Sequence, residues 1–481
     1  MNIAVVAYVI GIAMMIEGGL MFAPVLCALV YGESTIPFVL PIVINIVVGY
    51  GLYRAKPDSG NLLSKEGVVA TALVWIILSL TGMLPFLLSG AVSSPVDAFF
   101  ETVSGFTTTG SSILTDVEAL PKSCLLWRSL MHWIGGMGIL VFMLALMPLS
   151  GGTQMNLMKA ESPGPSIAKL VPRAQDTAKI LYGIYFLMSV ITIGVLVLMR
   201  MPLFDAVCIG LGAAGTGGFS VLNSGCASYT PLQQSFIAIA MTAFGVNFNF
   251  YYFWWIKKQK KEAVKMEEVN WYIFLLLGAS VLITVSLLLE RLYESPMLAF
   301  HDAFFHASSV MTTTGYATTD WNGWPGFAKT MLLFLMLAGS CAGSTGGGLK
   351  ISRLILLLKS FVRECQKILH PMAVRRVHMD GKTVEETVVH SVGVYFFAYI
   401  SLMFLSIVLV SFNDMGWEET VSSVIATFNN IGPGFGIVGS AGNFSSLSDF
   451  SKLVLSADML IGRLEIFPIV LLFSKQTWKK F

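Results

Sequence analysis

Asp97-Ala-Phe-Phe-Glu-Thr-Val-Ser-Gly-Phe-Thr-Thr-Thr-Gly110 opens on an acid, continues through an apolar stretch and closes on hydroxyls and a glycine. The plan returns in Asp205-Ala-Val-Cys through Thr216-Gly-Gly218, in Asp302-Ala-Phe-Phe-His through Thr312-Thr-Thr-Gly315, and in Glu419-Thr-Val through Asn430-Ile-Gly432. The same thirteen-residue offset separates the acid from the last-named glycine in all four. None of the four is long enough to cross a bilayer, which takes about 20 apolar residues in a helix, and each lies between longer apolar runs. Such internal repetition is a signature of architecture. It predicts four units, each made of a spanning helix, a half-helix, a polar loop and a second spanning helix. Asp97, Asp205, Asp302 and Glu419 are expected in the first turns of the half-helices, where a negative charge complements the helix dipole.

The surrounding text is membrane text. The chain has 481 residues, 55% hydrophobic and only 12% charged, with a mean hydropathy of +0.75, whereas a soluble chain is about a quarter charged. That excludes a soluble enzyme. About ten apolar runs are legible: Asn2–Leu29, Thr35–Leu52, Gly67–Leu88, Leu125–Leu149, Ala178–Met199, Leu232–Ile256, Trp271–Leu289, Ala328–Leu358, Val388–Phe412 and Leu453–Phe473. An even number places both termini on one side. The first run has no basic n-region or small-residue cleavage site, and Glu17 interrupts it, so it is expected to be a retained helix.

Basic residues crowd alternate loops: Arg54, Lys56 and Lys65; Lys159, Lys169, Arg173 and Lys179; Lys257 to Lys265; Lys359 to Lys382; and Lys475, Lys479 and Lys480. By the positive-inside rule these loops and both termini face the cytoplasm, and the Lys257–Lys261 cluster is a topology anchor with no nucleic-acid role. The six cysteines are scattered without a CxxC pair. His301 and His306 are five apart and off one helix face. No cofactor is implied. Gly434-Phe-Gly-Ile-Val-Gly439 matches GxGxxG but lacks the strand-turn-helix setting that motif needs, and the P-loop-like spacing from Gly343 to Gly348 has Leu349 where the lysine belongs.

Irregular backbone at membrane depth is tolerated only where protein buries it or where it lines a water-filled path. Four such loops related by repetition are expected to meet on one axis. A cation leaving water must exchange its hydration oxygens for others, and inward-facing carbonyls supply them. Glycine takes the positive φ angles that aim successive carbonyls one way, and threonine hydroxyls are spare oxygens. The expected cation-binding residues are Thr108, Thr109 and Gly110; Thr216, Gly217 and Gly218; Thr313, Thr314 and Gly315; and Asn430, Ile431 and Gly432. The second loop has Gly217 where the first and third have threonine, and the fourth has none, which implies looser selectivity than a symmetric filter.

The eighth run breaks at Ala338-Gly-Ser-Cys-Ala-Gly-Ser-Thr-Gly-Gly-Gly348. Each glycine costs a helix about 1 kcal/mol relative to alanine, so the backbone is expected to unwind near the midplane as a gate loop. Gly339, Gly343, Ser344, Thr345, Gly346, Gly347 and Gly348 are its candidate residues, with Lys350 just after it. Close helix packing through small residues would need only two or three of them at helical spacing. Arg463 lies within the last apolar run, where a charge is expensive and usually functional. It is expected to face the pore below the filter and oppose cations, since Asp458 and Glu465 are poorly spaced to pair with it on one helix.

These residues resemble the bacterial Trk/Ktr potassium uptake transporters, and the TrkH type in particular. The resemblance is carried by Ser104-Gly-Phe-Thr-Thr-Thr-Gly110, Trp127-Arg-Ser-Leu-Met-His-Trp-Ile-Gly-Gly-Met-Gly138, Gly215-Thr-Gly-Gly-Phe-Ser220, Thr312-Thr-Thr-Gly-Tyr316, Ala342-Gly-Ser-Thr-Gly-Gly-Gly348 and Asn429-Asn-Ile-Gly-Pro-Gly434. It implies an all-α multi-pass membrane protein with four helix–pore-loop–helix repeats in pseudo-four-fold arrangement around one pore, preceded by two N-terminal helices. It implies transported K+, filter glycines at Gly110, Gly218, Gly315 and Gly432, an arginine matching Arg463, a homodimer in the plasma membrane, and a cytosolic ring of nucleotide-binding, TrkA-like regulatory subunits. The expected units are residues 1–57, 58–150, 151–265, 266–382 with the gate loop, and 383–481. The competing reading is a sodium- or proton-coupled secondary transporter, a class built from two repeat halves.

Overall fold

A computed structural model describes residues 1–55, 64–138, 174–373 and 375–479. Among the described residues, six helices are long and apolar enough to cross a membrane, and a seventh crossing is sharply bent. The first begins with α1 (Ile3–Leu20) and runs on into α2 (Phe22–Tyr31); α3 (Ile36–Tyr53) folds back along α1. A Cβ on Gly11 would stand under 3.0 Å from the Gly49 carbonyl oxygen, and one on Gly49 under 3.0 Å from that of Gly11. Small residues at the crossing let the two backbones touch, the usual way apolar helices associate in lipid.

Four units follow. The first comprises α4 (Ser64–Gly82), the half-helix α5 (Pro95–Phe106) and α6 (Lys122–Gly136). The second comprises α7 (Ala174–Leu198), the half-helix α8 (Leu203–Gly215) and α9 (Pro231–Phe244). In the third, α10 (Glu267–Leu289) and the half-helix α11 (Pro296–Met311) precede α12 (Gly326–Ala338) and α13 (Ile351–Leu369). The fourth has α14 (Glu386–Val410), the half-helix α15 (Trp417–Phe428) and α16 (Asp449–Arg463). Packing between units runs one way round. Helix α6 packs on α8, α9 on α11, α12 on α15, and α16 returns to α5. The four units therefore close a cycle about one axis, as the repetition requires.

The second helix of each unit departs from expectation, because none described runs unbroken across the bundle. Helix α9 ends at Gly245 and the chain turns by 92° into Phe248–Ile256. Helix α16 stops at Arg463, and Glu465 and Ile466 take positive φ before α17 (Phe467–Leu472) begins. Helix α6 ends at Gly136, and the remainder of the expected run to Leu149 lies outside the described residues. Only the third break was legible, since those after Phe244 and Arg463 carry too few glycines to stand out. At the α9 bend it is Asn247 that starts the new helix, its side chain accepting from Asn249 N at 3.0 Å.

Asp302 also departs. Its helix starts a turn earlier at Pro296, a residue suited to a first helical position, so Asp302 lies past the first turn and accepts from the Tyr293 hydroxyl (2.7 Å) and His301 Nδ1 (3.0 Å). Asp97, Asp205 and Glu419 do sit in first turns, and Asp97 also pairs with Lys452 at 2.6 Å. A two-residue ribbon, His378–Met379 against Lys382–Thr383, is added to the helices. The Met1 ammonium and Lys65 Nζ both donate to the Lys479 carbonyl, at 3.5 and 2.8 Å, so the two ends of the chain share one end of the bundle. Lys56, Lys159, Lys169, Arg173 and Lys480, and the unit boundaries near 57 and 150, lie outside the described residues.

Gly11→Leu should overpack the α1–α3 crossing and cost about 1–3 kcal/mol. A lowered melting temperature of the detergent-solubilised protein is the expected readout; an unchanged one would mean that this contact yields without cost.

Candidate ion pathway

Each half-helix ends in a loop of the same backbone shape. The closing glycines Gly110, Gly218, Gly315 and Gly432 have φ of +81°, +83°, +87° and +101°. Two residues earlier, Thr108, Thr216, Thr313 and Asn430 are also left-handed, with φ of +56°, +51°, +60° and +55°. A β-branched residue adopts that region at a cost, and strain of this kind persists only where the surroundings over-determine it. The residue between each pair is not left-handed, so the sign of φ alternates along the loop.

The four loops touch in a ring. A Cβ on Gly110 would fall under 3.0 Å from the Gly217 carbonyl oxygen, and one on Gly218 equally close to that of Thr314. One on Gly315 would meet the Ile431 carbonyl oxygen, and one on Gly432 that of Thr109. Each glycine thus abuts the carbonyl one residue before the next glycine, and the fourth contact closes on the first. No side chain larger than hydrogen fits at any of the four positions.

The hydroxyls divide into two sets. Those of Thr109 and Thr314, expected as spare ligands, are engaged within their own loops: Thr107 and Thr109 Oγ1 are 2.8 Å apart, and Thr312 and Thr314 Oγ1 2.7 Å. One residue earlier the pattern changes. Thr108 Oγ1 and Asn430 Oδ1 are buried without a hydrogen-bond partner, Thr216 Oγ1 donates to its neighbour's carbonyl at 2.7 Å, and Thr313 Oγ1 accepts from Gly347 N at 2.6 Å. On the other side of the ring a cavity of about 160 Å³ is bordered by all four closing glycines.

The glycine stretch between α12 and α13 is non-helical, as its composition predicts. Gly339, Gly343, Gly348 and Lys350 have positive φ. Besides the bond from Gly347 N to Thr313, a Cβ on Gly346 would collide with Ser340 and the Thr312 carbonyl, and one on Gly347 with the Asn429 carbonyl. The loop is thus wedged against the pore loops of the third and fourth units. Ser344 bonds to Ser340 Oγ at 2.9 Å and Thr345 Oγ1 to the Phe244 carbonyl at 3.2 Å. Lys350 Nζ, buried, turns back on the Gly346 carbonyl. Arg463 donates to the Thr345 carbonyl at 2.9 Å, to the Gly136 carbonyl at 2.7 Å and to the Gly135 carbonyl. It ties the fourth unit to the glycine loop of the third and to the end of α6 in the first. Glu465 is held in a forked pair by Arg353 at 2.5 and 3.1 Å, and Asp458 accepts from Ser406 at 2.5 Å.

A family model described as TrkH, cation transport protein, matches residues 36–480. The chain belongs to this family. It is 34% identical over 488 residues to the Trk system potassium uptake protein TrkH of Salmonella typhimurium and 33% identical over 485 residues to that of Escherichia coli K12, covering all of both chains in each case. The crystal structure of the potassium transporter TrkH from Vibrio parahaemolyticus superposes with a TM-score of 0.90 at 30% identity, again over the whole of both chains. Membership in a family of cation transport proteins accords with a multi-pass bundle whose four loops meet on an axis.

One residue of this TrkH-family site was not anticipated. Glu268, buried at the start of α10, accepts with one oxygen from Ala342 N (2.6 Å) and Ser352 N (3.1 Å), on opposite sides of the glycine loop, and with the other from Asn247 Nδ2 (3.2 Å) at the α9 bend. It follows Glu267 just before an apolar run, where an acid reads as an ordinary helix-start charge; only the fold reveals its second use. Glu268→Ala should free both ends of the loop and speed labelling of the buried Cys341 thiol several-fold. Glu268→Gln, whose amide oxygen can still accept the two backbone N–H groups, should stay near wild type.

Proposed function

We propose that this chain is the channel-like, K+-conducting subunit of a bacterial potassium uptake system in the plasma membrane. The ring in which each loop glycine abuts the next loop's carbonyl carries the reading. Main-chain oxygens of Thr108, Thr109, Gly110, Thr216, Gly217, Gly218, Thr313, Thr314, Gly315, Asn430, Ile431 and Gly432 replace the hydration shell of a monovalent cation. Neutral dipoles suit an ion that must also leave. The unpartnered oxygens of Thr108 and Asn430 support this, as acceptors buried at matching positions of adjacent loops. K+ is cargo, named in the relatives' own descriptions, and no resident cofactor enters the proposal.

The loop from Gly339 to Gly348 acts as the gate. It occupies Thr313 Oγ1, one of four side-chain oxygens at the inner end of the filter, and Arg463 holds it there. A cation passing about 4 Å from the guanidinium would meet roughly 4 kcal/mol of repulsion at an effective dielectric near 20, so closure is electrostatic as well as steric. Lys350 adds to it. Coupling to a sodium or proton gradient, the competing reading, finds no support in four loops that close one ring, since rocking carriers pivot between two halves.

The partners proposed are a second copy, the surrounding lipid, and a cytosolic TrkA-like ring of nucleotide-binding subunits. Phe361, Ile368 and Leu369 on the far half of α13 are exposed apolar side chains beyond the gate, and suit such a contact. Both termini are placed in the cytoplasm, in keeping with the basic residues at the end where Met1 meets Lys479.

Reconstituted protein should take up Rb+ without a sodium or proton gradient; uptake only with such a gradient would favour the coupled carrier. Arg463→Ala should raise Rb+ flux about tenfold or more, given the repulsion removed, and unchanged flux would remove Arg463 from the gate. Gly315→Ser should fail to restore growth at low K+ to a potassium-uptake-deficient bacterium that the parent chain rescues.

A further inference from the structure

Within Trp127-Arg-Ser-Leu-Met-His-Trp, the resemblance left Arg128 and His132 without a task. They lie one helical turn apart on α6, both buried. His132 Nδ1 is 2.8 Å from the Gly105 carbonyl at the end of the first half-helix, and Nε2 accepts from Phe219 N at 3.2 Å, one residue past Gly218. A carbonyl can only accept and a backbone N–H can only donate, so these two bonds require the neutral ring with its proton on Nδ1. Arg128 donates through Nε to Glu101 Oε1 (2.9 Å), through one terminal nitrogen to the Ser220 carbonyl (3.2 Å) and through the other to Ser112 Oγ (3.3 Å). Glu101 also accepts from Ser112 Oγ (3.0 Å) and Ile113 N (3.0 Å). The exits of the first and second loops are thus bound to one buried ion pair. Phe219 packs against both residues, its ring 3.9 Å from the Arg128 guanidinium carbon and 4.3 Å from the imidazole centroid.

Gly217 explains why the brace sits here. Loops one and three carry Thr109 and Thr314 at the equivalent position, each hydrogen-bonded to a threonine two residues before it. In loop two that preceding position is Gly215, and a Cβ on Gly217 would lie inside the His132 ring's contact distance, under 3.0 Å from three of its atoms. The imidazole of the preceding unit fills the space that threonine fills elsewhere. It also supplies polar anchorage in place of the threonine pair that this loop lacks.

We propose that Arg128 and His132 are positioning residues for ion selectivity, holding the second pore loop at the spacing that favours K+ over the smaller Na+. The proposal rests on the reading of the four loops as a filter. An ion smaller than K+ is disfavoured only if the oxygens cannot close in on it, and loop two lacks the internal threonine pair that stiffens its neighbours. Its rigidity comes instead from α6. The brace acts through loop position and touches no ion.

The test is the ratio of Rb+ to Na+ flux in liposomes, measured with total flux and with the thermal melt of each variant. His132→Leu should lower the ratio about five- to tenfold, as expected from the loss of one or two buried hydrogen bonds, while flux persists. His132→Gln, whose amide can donate to Gly105 and accept from Phe219, should restore most of it. Arg128→Lys keeps the charge beside Glu101 but lacks the fork that reaches Ser220 and Ser112, and should lower the ratio as well. Should single changes at Arg128 not fold, Arg128→Met with Glu101→Gln removes both charges together and leaves none buried alone. An unchanged ratio in these variants, or an equal fall in both fluxes, would overturn the proposal. Gly315→Ser separates the two levels: if it lowers the ratio and the α6 variants do not, only the brace fails; if it leaves the ratio unchanged, the filter reading fails with it.

Discussion

A peptide group buried in hydrocarbon must have a hydrogen-bond partner, and a loop at membrane depth cannot find one in lipid. Four non-helical loops can therefore exist here only by facing one another, a neighbouring helix or a water-filled path. The ring of glycine-to-carbonyl contacts is the form this takes: Gly110 on Gly217, Gly218 on Thr314, Gly315 on Ile431, and Gly432 on Thr109. The rest of the molecule follows from keeping that ring closed. Each unit's second helix leans on the next unit's half-helix, so loosening one unit would loosen its neighbour.

Closure of the ring also accounts for the strain within it. Three threonines and an asparagine are left-handed two residues before the glycines, a conformation that the β-branched threonines would not choose alone. The surroundings hold it, through Asn430 Nδ2 bonding to Thr109 Oγ1 of the neighbouring unit at 3.0 Å and, within the third unit, Gly347 N to Thr313 Oγ1 at 2.6 Å. The second of these bonds links the ring to the loop below it. Arg463, Lys350 and Glu268 then hold that loop mostly through backbone groups, so that its small residues need only be small. Such a network can rearrange as a unit, because few of its bonds depend on the identity of a loop side chain.

The four-fold plan, the identity of the loop glycines and the unwound stretch in the third unit were all legible from residue types. Repetition at a constant offset and dense glycine are local signals, readable without knowing what touches what. The breaks at Gly245–Asn247 and after Arg463 were not, because a single glycine or an asparagine there looks like ordinary helix text. The engagement of Thr109 and Thr314 by Thr107 and Thr312 was equally hidden: a run of three threonines says that hydroxyls are present, not which way each one turns. Asp302 was misplaced for a similar reason. A proline two turns upstream began the helix early, and the acid found Tyr293 and His301 instead of the helix end.

Alone, the sequence determined that this chain lives in a membrane, that it is built four times over, and which backbone positions must be glycine. Apolar length, periodic offset and the steric uniqueness of glycine are properties of the chain itself. Only the tertiary structure decided which loop meets which, that Arg463 reaches three units at once, and that the asymmetry at Gly217 is filled by His132. Those contacts join residues dozens to hundreds of positions apart, and nothing in the chain's local chemistry says which distant carbonyl will stand within reach.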